Sequence, residues 1–459
     1  MRRNLKHEIY DYENLGDLRS KINDLQLQSF LPSLDSADIM FEKVQINKIN
    51  RINGNRVEAA NRFAAQPMEG CDGTYEGAPD ELTKRRYMRF AEGGAGLIWV
   101  EATAVAHEGR ANPRQLFLNE KTGDSFAQLA DNIREVSMRK HGFAPVLILQ
   151  ATHSGRYSRP NGRPEPIIAY QNPIFEKDNP ISPEHIITDD HLKQLETEFG
   201  TAAKLAQKSG FDGIDIKSCH RYLLCELLSA YNRQGIYGGS FENRTRMLRN
   251  SIACAKAETS SSNGFIITTR LNVYDGFPYP YGFGMNNDND SEGLRPDFTE
   301  PLKLAEILHD EYDMRLINIT AGNPYVNPHV NRPYDQGFYI PDEHPIEGVA
   351  RIFACAAQIQ RAFEDMTVIG SGFSYLRENA PYFAAGGVSA GMFKMAGFGR
   401  EMFAYPQFVS DLKNNGAMDR KKVCISCGKC SELMRMGTTA GCVVRDGEVY
   451  LELYRENKK

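Results

Sequence analysis

The chain has 459 residues, 41% hydrophobic and 25% charged, enough apolar material for a large core of ordinary globular type. A net charge of −5 excludes the basic footprint of a nucleic-acid binder, and no apolar run of about 18 residues marks a membrane span. The basic start MRRNLKHEIYDYENLGDL has no apolar stretch behind it and is not a secretory signal. The expected setting is therefore the cytoplasm, where thiols stay reduced and nine cysteines need a purpose other than disulfides.

In chain order, residues 1–40 form a polar extension with a weak helical pattern at Leu15, Leu18, Ile22 and Leu25. From about residue 60, short β-branched or apolar runs alternate with amphipathic helical stretches, the pattern of βαβ units on a parallel sheet. The expected strands are Arg62–Gln66, Gly96–Ala102, Val146–Ala151, Gly213–Lys217, Ile266–Leu271, Leu316–Thr320, Thr367–Gly370 and Ser389–Lys394. A helix is expected over Asp189–Lys208, capped by Thr188 or Asp189 and stopped by Gly210. Eight such units fit one closed (β/α)8 barrel of the α/β class. The competitor, a doubly wound sheet, announces itself by a G-x-G-x-x-G turn after the first strand. Here the nearest sequence is Gly370-Ser-Gly372, late in the chain and without the third glycine. The expected organisation is an extension (1–45), a barrel (46–416) and a cysteine segment (417–459), with a Gly-, Asn-, Asp- and Pro-rich loop at 272–300 after strand five.

Four cysteines, Cys424, Cys427, Cys430 and Cys442, fall in CISCGKCSELMRMGTTAGC, a C-x2-C-x2-C-x11-C spacing. Thiolates hold iron–sulfur clusters and zinc alike. Zinc sites usually come as two separated C-x2-C hooks, so three closely spaced cysteines favour a [4Fe–4S] cluster; a zinc knuckle and free thiols are the alternatives. Cys71, Cys219, Cys225, Cys254 and Cys355 are scattered.

In a barrel, the C-terminal strand ends face the active site. Here they carry Gln66-Pro67-Met68-Glu69, then Gln150 followed by His153 and Arg156, then Lys217, His220 and Tyr222, then Arg270, then the Gly370–Gly372 turn and Gly399-Arg400. That set suits a flavin. Arg270 supplies a cation for the N1–O2 edge of an anionic reduced isoalloxazine, Gln150 pairs with the pyrimidine edge, and Gly372 with Gly399-Arg400 suits a phosphate. Taken singly, Arg270 is as well explained by a salt bridge, Gln150 by a buried carbonyl and the glycines by turns.

The stretches NRFAAQPM (61–68), GGAGLIWVEATAV (93–105), LQATHSGRYS (149–158), GFDGIDIKSCHRYLLCELLS (210–229), YGGSFENRTR (237–246) and GREMFAYP (399–406) resemble, in order, the old yellow enzyme and NADH:flavin oxidoreductase superfamily. The tail resembles its iron–sulfur branch, which includes 2,4-dienoyl-CoA reductase and trimethylamine dehydrogenase. The resemblance implies FMN lined by Pro67, Met68 and Ala102, bound by Gln150 and Arg270, with its phosphate on Gly372, Gly399 and Arg400. It implies a substrate-anchoring pair at Lys217 and His220 and a proton-donating Tyr222. Family members carry His-x-x-His or His-x-x-Asn at the pair, so Lys217 departs from the pattern, its alternative role being an ion pair with Glu69 or Asp215. Glu69 stands where relatives tune or link the flavin, and Cys71 lies two positions too late for a covalent linkage. His329 lies roughly where the dienoyl reductase has a catalytic histidine.

The expected activity is an ene reductase passing hydride from FMN to a C=C bond conjugated to a carbonyl: an enoyl thioester, an enone or steroid, or an aryl acrylate. Amine dehydrogenase-like oxidative demethylation, a Schiff-base aldolase using Lys217, and a non-catalytic electron-transfer protein without an open pocket are the alternatives. The branch relatives continue past the cysteines into a flavin- and nucleotide-binding region, whereas this sequence stops at Lys459. The expected electron source is a separate reductase or ferredoxin, with direct delivery from NAD(P)H as the competitor. The other expected partner is the small unsaturated carbonyl substrate, with no nucleic acid, no membrane, and room for a homo-oligomer.

Overall fold

The computed structural model describes residues 8–46, 57–259, 264–286, 295–337 and 339–458. Its centre is a parallel sheet of β1 (Phe63–Ala65), β2 (Leu97–Ala104), β3 (Val146–Thr152), β4 (Gly213–Ile216), β5, β6 (Leu316–Thr320), β7 (Thr367–Gly370) and β8 (Met395–Phe398). Strand β5 has two halves, Ile266–Thr268 and Arg270–Asn272, interrupted at Thr269. The first half pairs with β4 (Gly213↔Ile266) and the second with β6 (Arg270↔Asn318). A bridge from Ser218 to Leu271 joins the two sides, and β1 pairs with β8, so the sheet closes into the expected (β/α)8 barrel. The sequence sees no break at Thr269, where twist shifts the hydrogen bonding from one neighbour to the other.

Alternation along the strands builds two apolar layers. Leu97, Trp99, Val146, Ile148, Leu316, Ile369 and Met395 fill the barrel interior, while Ile98, Val100, Leu147 and Leu149 point outward under the helices. Because both faces are covered, the strands are buried along their whole length. A ribbon of Val44–Gln45 against Glu58–Ala59 plugs the interior at one end, with Val44, Ile46 and Ala59 in the inner cluster.

The helix Asp189–Lys208 takes Thr188 as its N-cap, whose side chain accepts from His191 N, and Gly210 follows at φ +80°. One expected strand is displaced. Ser389–Lys394 is not β8 but the end of the helix Ala380–Ser389 and the turn after it, and β8 begins at Met395. Gly391 at φ +65° and the bond from Met392 N to Gly387 O close that helix in a left-handed C-terminal turn, which postpones the strand.

The N-terminal extension is fastened to the barrel. Its helix Leu15–Asp24 buries Leu18 and Ile22, and Tyr10 N donates to Asp335 Oδ2 at 3.1 Å. The C-terminal segment has a small core of its own in Leu433, Val443, Tyr450 and Tyr454. It is bolted to the helix Glu81–Gly93 by Asp446, which accepts from Arg85 at 2.8 Å and from Arg89 at 2.5 Å. Among the described residues, no helix is long and apolar enough to cross a membrane.

Candidate active site

A cleft of about 1000 Å³ opens over the C-terminal ends of the strands. Its walls include Pro67, Met68, Ala102, Gln150, Lys217, His220, Tyr222, Arg270, Gly372, Gly399 and Arg400, which are all eleven of the residues expected at the cofactor and catalytic positions. They come from seven different strands, so only barrel closure brings them together.

The floor is a polar lattice. Gln66 Nε2 donates to Ser371 Oγ at 2.9 Å and to Asn318 Oδ1 at 3.2 Å, and Asn318 Nδ2 returns a bond to Gln66 Oε1 at 2.8 Å. This ties β1, β6 and β7 together beneath the cleft. Gly397 is required there, because a Cβ would lie 1.9 Å from Gln66 Nε2. Asp215 organises the next wall: its Oδ2 accepts from Trp99 Nε1 at 2.9 Å and Gln150 Nε2 at 2.6 Å, and its Oδ1 from the Arg270 amide at 2.7 Å. Full burial pushes its carboxyl up to about 6 despite those three donors. Gln150, with its amide nitrogen committed to Asp215, has Oε1 left as an acceptor. Arg270 lines the cleft with its Nε unpartnered, and burial draws it below the ordinary arginine range.

After β4 the chain makes two consecutive left-handed residues, His220 (φ +64°) and Arg221 (φ +61°). Such backbone is costly for residues with a Cβ and persists only where surrounding contacts enforce it. The His220 amide donates to Asn272 Oδ1 at 3.3 Å, and buried Arg221 pairs with Asp275 at 3.2 Å. The result sets Lys217, His220 and Tyr222 on one wall. Asn331 Nδ2 donates to Ala321 O at 3.0 Å and lies 3.1 Å from His220 Nε2. That orientation makes Nε2 an acceptor and leaves the ring proton on Nδ1. Burial, reinforced by Arg270, Lys217 and Arg332, holds His220 well below the usual histidine range, so the ring is neutral.

Lys217 is 4% exposed and makes neither of the ion pairs anticipated for it. Asp215 is occupied as above, and the Glu69 oxygens take Tyr222 Oη at 3.4 Å and Cys71 Sγ at 3.7 Å. The Lys217 ammonium instead sits 3.5 Å from the centre of the Tyr222 ring, and burial lowers its proton affinity. Burial raises Glu69 above the usual carboxylate range, partly offset by Lys217.

Several wall residues were not anticipated: Tyr325, Asn331, Arg332, Ser371, Phe403, Ser431 and Met434 among them. Three come from the loop after β6, where His329 was the sequence candidate. His329 does not line the cleft; it packs against Tyr339 and Glu343. Tyr325 takes the inward place, its hydroxyl 2.9 Å from that of Tyr222 and its ring 4.1 Å from Tyr157. Nothing in the order of that loop's residues marks which of them turn inward. The loop 272–300 is described only in part, residues 287–294 lying outside the described residues.

The C-terminal segment forms one side of the cleft. Cys430, Ser431, Met434 and Ala440 line it, and Ala440 N donates to Gly70 O at 2.8 Å, beside Glu69. Cys424, Cys427, Cys430 and Cys442 surround an adjoining cavity of about 360 Å³, whose walls share Arg400, Phe403 and Cys430 with the cleft. Amides of Ser426 and Arg445 donate to the sulfurs of Cys424 (3.4 Å) and Cys442 (3.3 Å). Burial raises the Cys424 thiol and pushes Cys442 up to about 11. Among the described residues, no group of three or more His, Cys, Asp or Glu is gathered to hold a metal ion. All nine cysteines are free thiols, without a disulfide.

The chain matches the NADH:flavin oxidoreductase / NADH oxidase family over residues 52–282, half of its length, and belongs to that family. It is 28% identical over 220 residues to an NADPH dehydrogenase of Clostridium acetobutylicum, a match covering 47% of this chain and 61% of the relative. A NADPH dehydrogenase of a Geobacillus species is 36% identical over 197 residues, 42% of this chain and 54% of the relative. The matched stretch thus spans little more than half of these relatives. Among solved structures, 2-naphthoyl-CoA reductase superposes with a TM-score of 0.67 at 18% identity, over 89% of this chain and 57% of that one. Histamine dehydrogenase from Rhizobium sp. 4-9 gives 0.63 at 20%, over 89% and 52%. The old yellow enzyme homologue of Zymomonas mobilis gives 0.58 at 17%, over 83% and 94%. At these identities the likeness is one of fold.

Proposed function

We propose that this protein is an FMN-dependent ene reductase acting on a C=C bond conjugated to a carbonyl, with a [4Fe–4S] cluster on Cys424, Cys427, Cys430 and Cys442. The observation that carries the reading is the convergence of eleven separately expected residues on one cleft, in a chain of a flavin oxidoreductase family.

FMN, when bound, supplies the hydride. Pro67, Met68 and Ala102 would line it, Gln150 and Arg270 would take its pyrimidine side, and Gly372, Gly399 and Arg400 its phosphate. The unpartnered Nε of buried Arg270 is the polar atom that such a ligand would satisfy. Lys217 and the His220 Nδ1–H hold the substrate carbonyl and stabilise the negative charge that develops on its oxygen. Tyr222, its hydroxyl held between Tyr325 and Glu69, delivers the proton to the α-carbon.

The close C-x2-C-x2-C-x11-C spacing, with all four cysteines bordering one cavity, supports a [4Fe–4S] cluster over zinc in this reading. A four-iron cluster would take each of the four thiolates on its own iron.

An anaerobic absorption spectrum with flavin, iron and sulfide assays tests the cofactors. Reoxidation of the reduced protein by a panel of enoates, enones and enoyl thioesters then tests the activity, and a colourless protein would defeat the proposal. The electron donor in this reading is a separate reductase or ferredoxin; prompt, complete flavin bleaching on anaerobic mixing with NADH would show direct delivery instead.

A further inference from the structure

Four basic side chains line the cleft: Lys217, Arg270, Arg332 and Arg400. Lys217, Arg270 and Arg400 are more than nine-tenths buried and Arg332 is partly buried. Among the described residues none of the four makes a direct salt bridge, although Glu69 lies near enough to Lys217, and Asp215 to Arg270, to act on their charges. Arg332 donates to Ser431 Oγ and to Pro324 O, Arg400 donates to Pro333 O, Arg270 Nε has no partner, and Lys217 Nζ rests on the Tyr222 ring. The nearby carboxylates are engaged elsewhere, Asp215 with three N–H donors and Glu69 with Tyr222 and Cys71. Burying cations without a direct salt bridge is expensive, so a site built this way is matched to anions that its ligands bring.

On the flavin reading above, FMN accounts for part of this charge. Its phosphate falls to Arg400, beside Gly372 and Gly399, with Arg332 adjacent; the repulsion between the two arginines, added to burial, draws Arg332 down to about 10. Its pyrimidine edge falls to Arg270. Lys217 is left over. Beside it stand a neutral N–H donor on His220 and the Tyr222 hydroxyl, and the two donors match the two oxygens of a carboxylate. We propose that the Lys217–His220 corner binds the free carboxylate of an α,β-unsaturated acid, so that the substrates are enoate anions and not neutral enones or thioesters.

The chemistry explains why a full charge belongs there. Hydride from the reduced flavin forms a C–H bond at the β-carbon, the C=C π pair moves toward the carboxylate, and the substrate becomes a doubly negative enediolate. The Tyr222 proton then forms the second C–H bond at the α-carbon. A neutral histidine in place of Lys217 suits the single charge of an enone-derived enolate; the second negative charge calls for an ammonium.

The test is equilibrium binding to the oxidised, FMN-loaded protein, followed by the flavin spectrum, with crotonate and cinnamate against crotonamide and cinnamamide. The acids are expected to bind at least tenfold more tightly than the amides. Lys217→Gln brings the ratio to about one, and Lys217→Arg largely keeps it. Equal binding of acid and amide by the native protein, no binding of either acid, or a preference that survives Lys217→Gln in protein with full FMN content overturns the proposal. The first two outcomes need no variant to fold. Because binding is read without turnover, acids that bind preferentially yet never reoxidise the flavin would defeat the ene reductase reading and leave the carboxylate site standing.

Discussion

Asp215 is where stability and the cleft meet, and Asp215→Asn separates its contributions. The carboxylate accepts on both oxygens, from Trp99 and Gln150 on one and from the Arg270 amide on the other. An asparagine of the same shape presents one oxygen and one NH2. Its cheaper orientation keeps Trp99 and Gln150 and sets a donor against the Arg270 N–H, orphaning a buried amide at about 1–3 kcal/mol. The second effect runs the other way with pH. The folded-state value near 6 lies above the unfolded value of about 3.9, so between them the folded state binds more protons and stability falls as pH rises. That difference of about two units amounts to about 3 kcal/mol, which the asparagine does not lose. The deficit of Asp215→Asn is therefore largest near pH 4, narrows through pH 6 and is constant above it. Urea unfolding followed by Trp99, the only tryptophan and itself bonded to Asp215, reads this directly. Parallel stability–pH curves for native and variant protein, or equal stability throughout, would refute the reasoning.

The remaining predictions concern the cleft and the cysteines. Tyr222→Phe should slow substrate reduction by about 10²–10⁴-fold, the usual worth of a placed general acid, while stopped-flow reduction of the flavin by dithionite stays unchanged. Gly397→Ala drives a methyl group into Gln66 and should break the Gln66–Asn318–Ser371 lattice; the readouts are loss of copurifying FMN and a lowered Tm. Cys427→Ser should remove iron and sulfide while leaving FMN near one per chain, because Cys427 borders the cysteine cavity and not the flavin cleft. His220, held neutral by burial and three neighbouring cations, should add no limb to the pH–rate profile between pH 5.5 and 7; a limb there that vanishes in His220→Asn counts against the tautomer assigned to it.

The eight-unit alternation of strand and helix was legible in the sequence because periodicity is a local property, and with it the strand ends that carry Gln150, Lys217 and Arg270. Misplacing β8 came from treating Ser389–Lys394 as extended, where Gly391 ends a helix instead; a left-handed closure depends on one residue's backbone and barely alters composition. The loop after β6 shows the limit more sharply. Both His329 and Tyr325 are chemically plausible from sequence, and packing against Tyr339 and Glu343 turns the histidine away while Tyr157 and Tyr222 receive the tyrosine.

By itself, then, the sequence determined the barrel, the residue types at its strand ends and the four-cysteine spacing, all written in local order. Only the tertiary structure decided that Lys217 makes no direct salt bridge to Glu69 or Asp215 and that the cysteine segment is a wall of the cleft. Both depend on groups more than a hundred residues apart in the chain, such as Lys217 and Glu69 or Gly70 and Ala440, and burial and hydrogen-bond competition between such groups exist only once the barrel has closed.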